Sequence, residues 1–521
     1  MNEQISNLKN QLFELLNSNK LNEGILFIDD IISNKNNFDL TQIPIMSIIF
    51  SSFYNDIAEQ ITQTFRKDLT KEANLKLLAK AKEIINKMFG IFNQNSQLSE
   101  YKSYFESNRA RGYLTLYDIN YIKDNHVEPS NYGSKNFDIL PSVYSIEKYL
   151  TKSITCYWLA LENCTEINEQ YNIRNNLANA LSRVGRFIEA VELYKINIAS
   201  LPLRWQSKAS LVDTLNLLVI NSFIPKTVDL SIKKACLLNA SLENNELNHI
   251  QRQSLSIKLA EEIFIIEQNG YEFNNQTINA NEEEESRDFD LFSEYRKFTI
   301  RNQLSLNEHS LFCNCRHSKI DNLKIGLLHG SAHENKNLIV LDSISNRIIS
   351  EFAYSRMLYF SFKSDFAISI NDIEYATIEN HSNVDIYGYK IENLRTSYRL
   401  AYSILDKIGN AILLAYDIKK DIHVYFETLF SNQEIKLEIT KKSNIHLTAL
   451  YSLSIDLNKD NGVFRQFKKI RNEMEHGYFP IDIENKSEIE VANFTLNLLQ
   501  LTRKAIFSFI FLTRTETIIS E

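Results

Sequence analysis

The densest chemistry in the chain is the run Phe464-Arg465-Gln466-Phe467-Lys468-Lys469-Ile470-Arg471-Asn472-Glu473-Met474-Glu475-His476-Gly477. Arg465, Lys468, Lys469 and Arg471 fall close together, and the run closes on His476-Gly477 with Pro480 shortly beyond. Gly and Pro there are stop signals, so His476 is expected in the last turn of a helix. The negative end of the helix dipole favours imidazolium at that place, adding to a pKa already near neutrality. A histidine so placed gives or takes a proton at cell pH. Arg471 holds a permanent charge on a planar fork of donors that matches phosphate oxygens. At about 100° per residue, Asn472 and His476 share a face, whereas Arg471 is turned about 140° from His476. One straight helix therefore does not aim both groups at one atom. Either the last turn deforms toward Gly477, or two copies of the helix meet across a two-fold axis and each supplies part of the site. The same residues also suit a plain helix end, with Lys468, Lys469 and Arg471 neutralising the dipole and His476 as the cap.

The elements that must carry these residues are helical. The 521 residues include only 12 Gly and 6 Pro, about 2% and 1% against typical usage of about 7% and 5%. Turn-rich all-β folds and nucleotide-binding α/β folds draw on more of both. The expected fold is therefore mainly α. Tyr398, Ala401, Tyr402, Leu405, Ile408 and Ile412 line one helix face. Further helices are expected around 338–362, 447–457, 463–476 and 488–514, and 365–378 reads as a short hairpin. The C-terminal segment 385–521 is a helical bundle. Upstream, 1–135 is a helical region opening on an antiparallel helix pair, with 101–141 as an irregular excursion around Gly112, Pro129, Gly133 and Pro141. An acidic, aperiodic stretch at 274–288 separates 136–273 from a mixed connecting segment at 289–384.

Within 136–273 a 34-residue frame opens at Tyr171. It places Ala178 and Ala190 in small slots, Gly185 at a turn and Pro202 after the second helix. This pattern resembles a tetratricopeptide repeat, and neighbouring repeats are needed to bury its apolar face.

Arg471-Asn472 followed after three residues by His476, inside a C-terminal bundle, resembles the HEPN superfamily. The Tyr398–Ile408 helix, with Asp406, is similar to the helix that carries an acidic residue against the Arg–His motif in that superfamily. With the repeats upstream, the chain resembles the bacterial family that joins tetratricopeptide-like helices to a C-terminal HEPN ribonuclease. The resemblance implies metal-independent cleavage of RNA, with tRNA among the targets, in growth arrest or anti-phage defence. It gives His476 the role of general base or acid, and Arg471 that of stabilising the phosphate's charge. Asn472 would orient His476 or the phosphate, and Asp406 would hold Arg471 or His476 in place. A homodimer with a composite site, and a protein trigger or antitoxin at the repeats, are implied partners. The alternative is a non-catalytic HEPN and repeat protein that binds nucleotide or a protein partner.

Further cations with an RNA-binding role in this reading are Arg465, Lys468, Lys469, Arg395 and Arg399, with Arg356 as an additional candidate. Arg395, Arg399 and Asp406 share a helix face, which also suits a surface ion-pair network. His309, Cys313, Cys315 and His317 put four soft ligands in nine residues. Structural zinc sites usually separate paired Cys by two to four residues and recruit a distant second pair, so the sequence assigns no metal. No cofactor is expected, because P-loops, glycosidase carboxylate pairs and Gly-x-Ser-x-Gly elbows are missing. A formal net charge of -8 argues against non-specific coating of nucleic acid but leaves a local basic site open. Five scattered cysteines, no leader pattern and no spanning apolar run give the expectation of a cytoplasmic protein without a membrane segment.

Overall fold

A computed structural model describes residues 3–18, 20–33, 43–63, 71–95, 101–125, 146, 149–222, 224–274, 283, 286–325, 336–364, 389–418, 424–432, 435, 438–439, 444–476 and 488–519. The fold is all-helical, with no strand among these residues. The chain divides into two compact units, residues 1–181 and 182–521.

The first unit holds α1 (Glu3–Asn17), α2 (Leu21–Ser33), α3 (Ile43–Gln63), α4 (Lys71–Asn95), α5 (Lys102–Asn125), α6 (Leu150–Glu162) and most of α7 (Ile167–Arg183). Its core gathers Ile28, Tyr54, Ile57, Ile85, Met88 and Ile119. The expected irregular stretch is a regular helix from 102 to 125, which corrects the reading of 101–141 over those residues. The reason lies at Gly112. A Cβ there would stand 2.3 Å from the Met88 methyl carbon and 3.3 Å from Phe89, so the glycine permits close packing of α5 on α4 instead of breaking the helix. Pro129, Gly133 and Pro141 lie outside the described residues, as does the hairpin expected at 365–378.

The second unit begins with the last two residues of α7 and continues through α8 (Phe187–Ser200), α9 (Gln206–Ser222), α10 (Val228–Leu242), α11 (His249–Gln268) and α12 (Glu294–Arg301). Gly185 sits at the turn predicted by the 34-residue frame. Its φ is +81°, and an added Cβ would lie 2.4 Å from the Ile445 carbonyl oxygen, so both conformation and contact require glycine. The unit closes with α13 (Lys336–Lys363), α14 (Tyr389–Ala415), α15 (Ile445–Asp456), α16 (Arg465–His476) and α17 (Glu488–Ile519). α13 and α14 approach closely at serines. Ser355 Oγ donates to the Ser397 carbonyl at 2.7 Å, and Ser397 Oγ returns the bond at 2.9 Å. No described helix is long and apolar enough to cross a membrane.

Buried charge joins α8 to α15 and α17. Arg186 donates to Glu189 at 2.7 Å and pairs with Asp456. Arg503 holds Glu192 at 2.7 Å, and Lys504 reaches Glu189 at 3.3 Å and Glu192 at 3.1 Å. The cations hold Glu189 below the usual carboxylate range against the opposing effect of burial.

His446, fully buried at the start of α15, contacts the Asn221 carbonyl through Nε2 at 3.0 Å. Burial pushes its imidazole down to about 4. The folded chain thus keeps His446 neutral, whereas the unfolded chain protonates it near its ordinary value of about 6.5. The stabilisation is complete above about pH 6.5 and is lost as pH falls toward 4. Between pH 7 and pH 4 the wild type should lose about 3 kcal/mol more than His446→Gln, read from denaturant midpoints. Equal losses in both proteins would show that His446 is not the group responsible.

Candidate functional site

α16 starts where a tight turn after α15 releases the chain. The Phe464 amide donates to the Asp456 carbonyl at 2.8 Å, and a Cβ on Gly462 would lie 2.3 Å from that same oxygen. A narrow apolar stripe, Phe467 and Ile470, is the buried part of α16, and its other positions are largely polar. Phe467 meets Phe494 of α17 edge-on, with ring centroids 6.3 Å apart.

One hydrogen bond sets the register. The buried Tyr398 hydroxyl donates to the Phe467 carbonyl at 2.8 Å. Four residues further along each helix, the Arg471 guanidinium stands over the Tyr402 ring, 5.8 Å from its centroid. The two contacts advance in step, so the bond at Tyr398 fixes where Arg471 sits. Arg471 also donates to Glu475 Oε2 at 3.1 Å and to Asn472 Oδ1 at 3.1 Å.

Beneath it lies an acid that sequence spacing did not single out. Glu427, 5% exposed, belongs to the short helix Phe426–Ser431. It pairs with Lys468 and accepts the Tyr402 hydroxyl at 3.4 Å. Lys468 Nζ is also 5.7 Å from the centroid of the Tyr425 ring. Burial, then Glu427 and Asp406, push the Tyr402 hydroxyl well above its ordinary value, and Arg471 opposes them only in part. Tyr402 therefore stays protonated and acts as a donor.

Asp406 is buried on the same side of α14, one turn past Tyr402. Its Oδ1 accepts the Phe426 amide at 3.0 Å, which ties the short helix bearing Glu427 to α14. Asn472 is exposed beside Arg471. The helix runs as α through His476, whose side chain lies outside the described residues, as do Gly477 and Pro480. Arg465 and Lys469 are exposed, with Lys469 3.9 Å from Glu473. Arg395 and Arg399 bond within α14, to Glu392 at 2.6 Å and Thr396 at 3.2 Å. Arg356 has no surface to offer RNA. It is 1% exposed and donates to the Leu304 carbonyl at 2.6 Å and to Asp321 at 2.5 Å.

With this geometry in view, comparison with protein families gives one assignment. Residues 332–516 match LA2681-like HEPN. The match runs from just before α13 almost to the end of α17 and includes Asp406, Arg471, Asn472 and His476. It does not extend to the helices of the 34-residue frame. Comparisons with curated proteins and with solved structures found no match. The C-terminal part of the second unit is thus similar to a HEPN domain, and Glu427 and Tyr402 lie within the matched span.

A second cluster lies outside that match. His309, Cys313 and Cys315 bring their ligand atoms within 4.8 Å of one another. A hydrogen bond from Cys313 is the main cause lowering the Cys315 thiol to about 4, against burial and with help from His309.

Replacing Glu427 removes the anion that faces Lys468 and Tyr402 together. Glu427→Gln should destabilise the chain by about 1–3 kcal/mol, and Tyr402→Phe by less than about 1 kcal/mol, because its 3.4 Å bond is long. Urea midpoints of the two variants test that order.

Proposed function

We propose that the HEPN domain is an endoribonuclease that cleaves RNA by attack of a ribose 2′-hydroxyl on the adjacent phosphorus. The RNA supplies its own nucleophile, so the protein has to move two protons and stabilise a crowded dianion. His476 takes the 2′-hydroxyl proton or returns one to the departing 5′-oxygen. Arg471 faces the charge that builds on the phosphoryl oxygens, and Asn472 orients the histidine or the phosphate. Asp406 acts at one remove, by holding the short helix of Glu427 against α14. The products are a 2′,3′-cyclic phosphate and a 5′-hydroxyl end.

The observation that carries this reading is Arg471, half-buried over Tyr402 and bonded to Asn472 at the exposed face, on a helix that stays regular to His476. A regular helix keeps positions 471 and 476 about 140° apart. That supports the second of the two geometries, a composite site built across a two-fold axis from one protomer's arginine and the other's histidine. Lys469 and Arg465, exposed on α16, are the phosphate contacts beside it, and Arg395 and Arg399 extend the same role along α14. Uncontrolled cleavage would arrest growth, which fits a toxin or phage-defence effector acting on tRNA in the cytoplasm. In this reading the N-terminal helices receive the trigger or antitoxin.

Arg471→Ala and His476→Ala should each lower RNA cleavage at least about 100-fold without added magnesium or manganese, and added magnesium should not restore it. Mixing the two inactive proteins should return about a quarter of wild-type activity, because half of randomly paired dimers regain one of two sites. Full activity in His476→Ala would remove the mechanism, and no recovery on mixing would remove the composite site. RNA bound but uncut by wild type would favour the binding protein instead. Glu475→Gln frees Arg471 from its 3.1 Å partner and should raise cleavage about two- to five-fold, whereas a fall would make Glu475 a positioning residue.

A further inference from the structure

We infer that His309, Cys313 and Cys315 form a zinc site, completed by Asp229 from α10. The proposal rests on side chains far from Arg471 in sequence and outside residues 332–516, and stands apart from the ribonuclease reading.

The ligand atoms of the three residues lie within 4.8 Å of one another, and His309 Nε2 is already 3.1 Å from Cys315 Sγ. A tetrahedral zinc ion, with Zn–S of about 2.3 Å and Zn–N of about 2.0 Å, holds such atoms roughly 3.3–3.8 Å apart. Zinc would draw the widest of these separations in by at most about 1 Å and open the His309–Cys315 pair by a few tenths of an ångström. Asp229 lies outside that 4.8 Å group and supplies the fourth ligand from beside it, its Oδ2 standing 3.9 Å from His309 Nε2.

Local folding explains why an unpromising spacing converges. The short helix Glu308–Leu311 turns the chain so that the amides of Phe312 and Cys313 both donate to the His309 carbonyl, at 3.2 and 3.0 Å. His309 and Cys313 thus come together over one turn. Cys315 then opens the short helix Arg316–Lys319, and its amide donates to Cys313 Sγ at 3.2 Å. An amide aimed at a ligand sulfur is the kind of outer contact that steadies a thiolate. The loop is also fixed from behind. Asn307 donates to the carbonyls of His317 at 2.8 Å and Ile320 at 2.6 Å, and Ser305 donates to that of Ser318 at 3.0 Å. Cys313 and Cys315 are 5% and 7% exposed, so the pair is held inside the fold.

Chemistry selects the ion. Two thiolates and one imidazole are a soft set that suits zinc and not magnesium or calcium. Two thiolates also balance Zn2+, which leaves the buried part of the site neutral, while the half-exposed Asp229 adds its charge at the solvent edge.

Full-length protein purified without added metal should contain about one zinc per chain by elemental analysis. After zinc removal, cobalt should restore a thiolate-to-metal absorption band. Cys313→Ser/Cys315→Ser should lose both signals and Cys236→Ser should keep both. Should the double variant fail to fold, the wild type still decides. Its Cys313 and Cys315 should alkylate at least about ten-fold faster once a strong chelator is present. Folded wild type with neither zinc nor a cobalt band, and with the same alkylation rate with and without chelator, overturns the site. Asp229→Asn should weaken zinc binding by more than about ten-fold, and unchanged affinity would remove Asp229 as the fourth ligand.

Discussion

Glu189 and Glu192 face inward from α8, and a carboxylate taken out of water is tolerated only against a matched cation. Here the cations come from Arg186 at the preceding turn and from Arg503 and Lys504 in the middle of α17. This requirement binds α8 to α17, and through Asp456 it also binds the end of α15. These pairs add a directional constraint to the register that apolar packing already sets. α8 is consequently locked to helices of the matched span at one register, although the family match does not reach it.

From α17 the constraint spreads in two directions. On one side, Arg503 donates to the Ser305 carbonyl at 2.7 Å, Gln500 to that of Asn302 at 3.0 Å and Arg514 to that of Lys324 at 2.8 Å. A segment with little regular structure, 302–325, gains a fixed conformation from side chains of a distant helix. On the other side, Thr502 donates to the Ala401 carbonyl at 3.1 Å, next to Tyr402. The helix that steadies the Cys-His loop therefore also steadies the helix under Arg471.

Helix content was legible because scarce Gly and Pro leave few ways to turn, and α13 to α17 follow the apolar periodicity closely. Gly185 was legible for the same reason, since a turn between two periodic stretches asks for a positive φ. Gly112 was not. Its function is a close approach to Met88, a neighbour distant in sequence, and glycine spacing alone cannot separate a packing contact from a break. Glu427 escaped for a related reason. Nothing in Tyr425-Phe426-Glu427 marks it, because its meaning comes from Lys468 and Tyr402, brought to it by α16 and α14. The Arg471-to-His476 spacing was readable as a motif, while the register that aims Arg471 was not. That register rests on the hydroxyl of Tyr398, which as sequence reads only as one more member of an apolar face. The Cys-x-Cys run was legible only as a spacing, which gives no hint of the turn that brings His309 within reach of Cys315.

α16 has little hold of its own. Phe467 and Ile470 give it a narrow buried stripe, and the Tyr398 bond gives it a register. Its position is therefore inherited from α14, which lies in the core against α13 and α17. A change that shifts α14 by a fraction of an ångström, at Ser397 or Ala401 for example, displaces Tyr402 and with it the guanidinium that rests on the ring. The geometry of the candidate site is in this sense a property of the α14–α17 contact. It follows that mutations can reshape the candidate site without touching Arg471, Asn472 or His476, and that these will be enriched among the small buried residues of α14. The exposed cations of α16 act differently. They sit on a surface that no packing defines, so their replacement should leave the framework intact.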